Sequence, residues 1–308
     1  MGAGYGTALL VVTNATAGSA EETRVSAAVD RLRQSSDVRV DSCSQPEDLD
    51  RILDGRGDRT LVLAGGDGSV HTAVAALRRR GELGAGPLGL LPLGTGNDLA
   101  RTLGIPLDPA DAARTLLESR PRPLDLLVDD SGGIVVNVVH LGVGAEAAER
   151  AAALKGGIGK AAYAVGGVLA GATATGWDLQ VSVDGSRLEL DGPALMVAVA
   201  NGRTIGGGAE LAPTAEPDDG WLDVVVATST GPLARLGFGV AMREGDHVDR
   251  DDVVVVRGRE VTVSGEPFPL NADGELQEAV RSRRWTVEPG AWSVLAPAVP
   301  ATSSDGSG

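Results

Sequence analysis

Three short loops of glycine and other small residues carry the groups with the most chemistry to offer. The one with the strongest signal is Gly65-Gly66-Asp67-Gly68, followed by Ser69, Val70, His71 and Thr72. Glycines let the main chain approach an anion closely. A helix that begins at such a loop also offers unpaired N–H groups with partial positive charge, so the turn suits phosphate. The Asp67 carboxylate is repelled by phosphate unless a divalent cation lies between them, which points to a magnesium-bound nucleotide. A second loop of the same kind holds Gly94, Thr95, Gly96, Asn97 and Asp98, and an earlier small-residue loop runs Asn14-Ala15-Thr16-Ala17-Gly18. Taken alone, the first loop is also what an ordinary tight βα turn looks like.

The elements that must position these loops are written around them. Residues 60–64 form an apolar run that stops at the first glycine loop, and Val70, Ala73, Val74 and Leu77 then recur at helical spacing. Arg78, Arg79 and Arg80 fall in the last turn of that helix, where cations suit the macrodipole, and Gly81 is placed to cap it. Residues 8–13 read as a strand leading into the Asn14 loop. A helix follows with Ser19 as N-cap, Glu22 as its capping-box partner and Val25, Val29 and Leu32 as the buried stripe. A strand at 38–40, a helix at 46–53, a strand at 88–91 and a helix at 99–103 continue the alternation. Gly104 and Pro106 end that last helix, and Asp108 with Pro109 opens another through Glu118. Such a βα succession predicts a mostly parallel sheet whose ligands gather beyond the carboxyl ends of its strands.

From residue 124 the texture changes to short alternating or valine-rich runs at 124–128, 134–141, 179–183, 187–190, 195–200, 221–227, 253–256, 261–263 and 285–287. These read as antiparallel strands, with Asp184-Gly185 as a hairpin turn. Helices are expected at 155–172 and from about 230 to Met242. The expected division is an α/β domain at 1–122, a β domain at 123–297 and a disordered tail at 298–308.

The whole chain has 308 residues, 43% of them hydrophobic, enough for two cores. Its 42 acids outnumber its 27 Lys and Arg for a formal charge of −15, which disfavours nucleic acid and any general attraction to anionic membranes. Aromatics at 3% are too few for a base-stacking platform. One cysteine excludes an internal disulfide, and three histidines make a zinc cluster a poor expectation. No apolar run reaches the ~20 residues of a membrane span, and no signal peptide is recognisable, so a cytoplasmic location is expected.

The segments GGDGSVHTAVAAL, PLGTGNDLAR, NGRTIGGGAELAPTAEPDDGWLDV and NADGE, in that order, resemble the diacylglycerol kinase catalytic family, which includes bacterial lipid kinases and sphingosine kinases. The resemblance spans about residues 8–297. It implies an α/β nucleotide-binding domain like that of NAD kinases and phosphofructokinases, then a β-sandwich whose last segment, about 285–297, returns to the first domain. ATP and Mg2+ are the implied cofactors. The nucleotide is implied at residues 14–18, at 66–72 and at Thr95, with Asp98 in the same polar network. Glu275 is the implied general base on a lipid hydroxyl, with Asp273 and Asp67 supporting it and the catalytic magnesium. Glu216, Asp219 and the carbonyl of Trp221 are implied to hold a second, structural magnesium, the alternative there being a surface turn with solvated acids.

Three departures from the family pattern stand out. The first loop has Asn14-Ala15 where Asn-Pro is usual, Gly142-Val143-Gly144-Ala145 replaces Gly-Phe-Asp-Ala, and Ser69 replaces Thr. The second of these bears on which lipid is bound, since Gly144 stands where an Asp helps orient the head group in some relatives. Outside the motifs, His71 reads as an exposed or capping residue, and His140 and His247 as isolated. The arginines at 78–80 and 281–284 read as solvated ends with a possible lipid-phosphate role. Small residues at 156–172 suit either an acyl-chain pocket or a packed helix. The expected activity is an ATP-dependent lipid kinase working at a membrane surface, with homodimerisation left open. A soluble-substrate kinase of the NAD kinase type and a non-catalytic lipid or nucleotide binder are the alternatives.

Overall fold

The structure is a computed structural model, and it describes residues 7–14, 19–142, 176–228, 241–242 and 245–298. The helices expected at 155–172 and 230–242 lie outside this set or almost so, as do Gly144, the Ala15 to Gly18 loop and the tail. The first half alternates strand and helix: β1 (Ala8–Asn14), α1 (Ser19–Arg33), β2 (Asp37–Cys43), α2 (Pro46–Asp54), β3 (Thr60–Gly65), α3 (Asp67–Arg79), β4 (Gly89–Pro92), α4 (Asp98–Thr102) and α5 (Pro109–Glu118). The four strands pair in parallel in the order β2-β1-β3-β4. Asn14, Gly65 and Pro92 end their strands at one edge, the carboxyl edge where ligands gather in such sheets.

Local sequence signals account for the helix ends. Asp108 accepts the N–H groups of Ala110 and Asp111, with Pro109 as the first helical residue of α5. At the far end of α3, Gly81 takes φ +70°. There Glu82 N–H reaches Leu77 O at 2.8 Å and Gly81 N–H reaches Arg78 O at 3.0 Å. This pair of bonds is the Schellman closure. Val70, Ala73, Val74, Ala76 and Leu77 form the buried face of α3.

The second half is a large antiparallel sheet. It holds β5 (Arg120–Asp129), β6 (Ile134–Val135), β7 (Val138–Gly142), β8 (Leu179–Val183), β9 (Ser186–Arg187), β10 (Met196–Ala200), β13 (Leu222–Ala227), β14 (Val253–Gly258), β15 (Glu260–Ala272) and β16 (Glu275–Ala296), with a small ribbon of β11 (Thr204–Ile205) and β12 (Ala209–Glu210) beside it. Its main order is β14-β13-β10-β7-β15-β16-β5-β6. The runs expected at 261–263 and 285–287 prove to be parts of two much longer strands of 13 and 22 residues. Register shifts flank Phe268 in this pair, and the polar stretch beyond it has no clean alternation to reveal the strands.

The end of β16 returns to the α/β domain. Leu88 accepts the N–H of Leu295 and donates to Ser293 O, both at 2.8 Å. Trp292, Val294, Leu295 and Ala296 are buried in the same core as β1, β3 and α3, together with Leu124 and Leu126 of β5. The α/β core is therefore completed by the last strand of the β sheet.

His140 lies on β7 between Ala198 of β10 and Asn271 of β15. It is buried, and burial pushes its imidazole from 6.5 down to about 4. The unfolded chain binds this proton first as pH falls, so the stability His140 confers as a neutral ring is full above 6.5 and is lost as pH drops toward 4, at about 1.4 kcal/mol per pH unit. Melting temperature measured by circular dichroism between pH 6.5 and 5 should fall more steeply for the wild type than for His140→Gln; parallel slopes would acquit His140.

Candidate functional site

Asp67 and Gly68 are the first residues of α3, with Gly66 as the N-cap. Ser69 and Val70 N–H groups both reach back to Gly66 O, at 3.0 and 3.2 Å. The N–H groups of Asp67 and Gly68 have no acceptor among the described residues, which is the usual condition of the first turn of a helix. A Cβ at Gly68 would meet nothing within 4 Å, so the approach to these donors is open. Gly66 is different: a Cβ there would lie 2.9 Å from Gly94 Cα. This glycine is needed for the two glycine loops to pack together, whatever else it admits.

Asp67 does not point away from the second loop. Its Oδ1 accepts Leu99 N–H and its Oδ2 accepts Asp98 N–H, each at 3.1 Å, so it caps α4 from another element. Desolvation by burial raises its pKa against those bonds. Each oxygen keeps a second lone pair. Asn97, the N-cap of α4, is left-handed at φ 52° and donates to Gly94 O at 2.6 Å, while its Oδ1 is buried without a donor. Asp98 is buried and accepts the N–H groups of Gly207 and Gly208, at 3.0 and 2.9 Å. Both glycines have positive φ, 96° and 113°. Asp98 thus ties the second loop to the β domain, a role that its place in a polar network did not foretell. Thr95 is exposed beside it, and Asn14 is exposed at the end of β1.

Asp273 and Gly274 form the two-residue turn between β15 and β16, with φ of 50° and 90° and Ala272 paired to Glu275. Left-handed geometry at both positions is the type I′ hairpin turn, which Asp-Gly favours. The Asp273 side chain is only 1% exposed. Its Oδ2 accepts Val136 N–H at 2.7 Å, and its Oδ1 accepts the N–H groups of Asn137 and Val138 at 2.9 and 3.1 Å. His71 Nδ1 lies 2.8 Å from Oδ2. His71 is accordingly half-buried and engaged, where its position alone suggested an exposed or capping residue. Glu275 is exposed, and its carboxylate has no partner among the described residues. Of the acids expected to act together, Glu275 and Asp273 share one turn that α3 reaches through His71, four residues after Asp67.

The residues expected to hold a structural magnesium are otherwise engaged. Asp219 accepts Trp221 N–H at 3.0 Å and is held by Arg257, which also reaches Asp223 at 3.3 Å. Glu216 pairs with Arg203 at 3.3 Å, and Trp221 lies under Arg259, whose Cζ is 4.9 Å from the ring centroid. Among the described residues no three His, Cys, Asp or Glu side chains converge to hold a metal. A magnesium on Glu216, Asp219 and the Trp221 carbonyl must first displace Arg257, so the donors as they stand do not fit it. The arginines at 78–80 are also committed: Arg78 makes two bonds to Glu288 at 2.6 and 2.8 Å, Arg79 holds Asp50, and Arg80 holds Asp54 and Glu82.

Comparison with known proteins matches the chain to two family models, the first of which takes in the parallel sheet and also β5 of the antiparallel one. Residues 8–128 match the family model for the diacylglycerol kinase catalytic domain, and residues 137–296 match that of the YegS C-terminal NAD kinase beta sandwich-like domain. Fold and matches together define a kinase. A Pseudomonas aeruginosa (PAO1) protein named "Probable lipid kinase YegS-like" is 36% identical over 300 residues, 94% of each chain. A Chromohalobacter salexigens protein of the same name is 32% identical over 250 residues, 78% of this chain and 77% of the relative. A Bacillus anthracis (str. Sterne) crystal structure described as a diacylglycerol kinase aligns with TM-score 0.75 at 21% identity, covering 95% of this chain and 98% of that one. The chain belongs to the YegS-like lipid kinase family. Among the described residues no helix is long and apolar enough to cross a membrane.

A guanidinium that already neutralises Asp219 leaves magnesium little to stabilise there. Melting temperature should differ by no more than about 1 °C between magnesium and chelator, while Arg257→Gln should lower it by about 2–4 °C in both. A rise of several degrees specific to magnesium would instead restore the metal to Glu216 and Asp219.

Proposed function

We propose that this lipid kinase transfers the γ-phosphoryl group of Mg-ATP to a hydroxyl of a diacylglycerol-like or long-chain lipid presented at a membrane surface. What supports this reading is the bond between His71 of α3 and Asp273, which holds the Asp273-Gly274 turn, with the exposed Glu275 directly after it, against the helix whose first residues, Asp67 and Gly68, have open N–H groups. Phosphoryl transfer asks a protein mainly to position groups and stabilise charge. In this arrangement the N–H groups at the start of α3 receive phosphate oxygens. Glu275 takes the hydroxyl proton as the lipid oxygen attacks the γ-phosphorus and the bond to ADP breaks. Asp67, with a free lone pair on each oxygen, would hold the magnesium that accompanies the nucleotide, which when bound would offset the charge of the phosphates. Asp273, with its oxygens taken up by main-chain N–H groups and His71, holds the turn rather than the proton.

The lipid assignment follows the family. The rival soluble-substrate reading needs a dinucleotide-binding stretch in the β domain, and the sequence offers none. Peripheral docking on the inner face of the membrane fits a lipid acceptor, and the net charge of −15 requires that the contact be local.

Two measurements test this reading. Glu275→Gln keeps the shape and removes the proton acceptor, so turnover on mixed-micelle lipid should fall about 10²- to 10⁴-fold while ATP affinity changes little. Near wild-type turnover, with lipid saturating and chemistry rate-limiting, would remove Glu275 as base. Gly68→Val has room in the free protein and should fold normally, yet places a side chain over the open N–H groups. Its ATP affinity, by calorimetry, should drop about tenfold or more, equivalent to ~1.4 kcal/mol, and an unchanged value would place the phosphates elsewhere.

A further inference from the structure

The Asp273 carboxylate is held by four groups. Three are main-chain N–H groups of residues 136–138, which belong to the β domain. The fourth is His71, one turn into α3 and 202 residues away in sequence. An ionised carboxylate only accepts, so His71 Nδ1 carries the hydrogen and donates it. It is the sole hydrogen bond among the described residues that joins α3 to this turn. The other bonds fix the turn within its own sheet. They do not set how far it stands from the nucleotide loops.

Glu275 follows the turn directly, and its carboxylate has nothing of its own to hold it. Its place relative to α3 is therefore inherited from Asp273. Burial disfavours the charged His71 ring, but the Asp273 hydrogen bond and the charges of Asp273 and Glu275 outweigh that and raise its pKa. The Glu275 charge is thus the least of the influences that raise the His71 pKa.

We propose that His71 is a positioning residue for phosphoryl transfer: through Asp273 it fixes the Glu275 turn against the start of α3, so that base and phosphate loops meet at a set separation. The proposal rests on Glu275 being the base. A displacement of about 1 Å between reacting groups costs on the order of 10²-fold, so the bond acts on rate rather than on nucleotide binding.

Four variants test it: His71→Leu, His71→Asn, Glu275→Gln and the His71→Leu/Glu275→Gln pair. Each is assayed for kcat and KM for ATP with lipid in mixed micelles. Amide hydrogen exchange over residues 136–138 is followed by mass spectrometry in ligand-free protein. His71→Leu should lower kcat about 10- to 100-fold with KM for ATP within about twofold, and should speed exchange over 136–138. His71→Asn, whose amide nitrogen takes the place of Nδ1, should recover most of both. In the Glu275→Gln background His71→Leu should cost little more, because a residue that acts through Glu275 has nothing left to position. Wild-type kcat in His71→Leu, or an equal cost in both backgrounds, overturns the proposal. Should Glu275→Gln stay active, the base assignment falls and the proposal with it; should Glu275→Gln be slow while His71→Leu keeps wild-type kcat, the base assignment stands and only the positioning role of His71 falls. If His71→Leu does not fold, His71→Gln, which displaces the donor, is held to the same outcomes.

Discussion

A carboxylate taken out of water must be solvated by the protein, and the two halves of this molecule meet where that demand is met. Asp273 sits in a pocket too dry to leave any of its oxygens to solvent. Three consecutive main-chain N–H groups and one imidazole surround it. Removing any of them leaves a buried charge short of a donor, which is far more costly than losing one neutral contact. Because the donors come from two domains, the requirement is also geometric. The hairpin turn, the loop between β6 and β7 and the second turn of α3 hold their relative positions as long as the charge is buried. Asp98 repeats the device at the neighbouring loop, where its carboxylate draws in the N–H groups of Gly207 and Gly208. Two buried acids thus do for the interface what a hydrophobic seam does elsewhere, with stricter directionality.

The glycines of the two loops answer to packing as well as to ligands. Gly66 and Gly94 face each other so closely that neither tolerates a Cβ, and Gly65 has the Ser69 hydroxyl 2.3 Å from where its Cβ would be. Only Gly68 is open. A phosphate cradle and a tight loop–loop contact call for the same residue type, so glycine spacing alone does not separate them. With Asp67 capping α4 across this contact, the two loops are joined by hydrogen bonds as well as by packing.

What the sequence disclosed was local. The strand, glycine loop and helix around residue 66 follow from apolar runs and helical spacing, and Asp184-Gly185 takes the positive φ values of a type I′ turn because few other pairs do so cheaply. The Asp108 cap and the Gly81 closure are equally short-range. Pairings of high separation left no such trace. Nothing near residue 71 signals residue 273, and β16 hides its length because the stretch from Glu278 to Arg284 is mostly exposed and carries four charged residues. The arginines at 78–80 read as free ends because their partners Asp50, Asp54 and Glu288 lie on other elements. Asp219 and Glu216 read as metal ligands by motif, and only the fold reveals Arg257 and Arg203 beside them.

The strand that carries Glu275 at one end carries Trp292 at the other, and Trp292 belongs to the core of the α/β domain. On the ribosome, the parallel sheet and its helices emerge well before this strand does. Until residues 292–296 have been made, the α/β domain presents Leu88 and the inner face of β5 without their partner, an open edge with exposed apolar surface. The two domains therefore do not mature one after the other. The α/β domain closes its core only when the segment bearing Glu275 is already in place, so a chain stalled or cut short of residue 292 lacks a finished first domain.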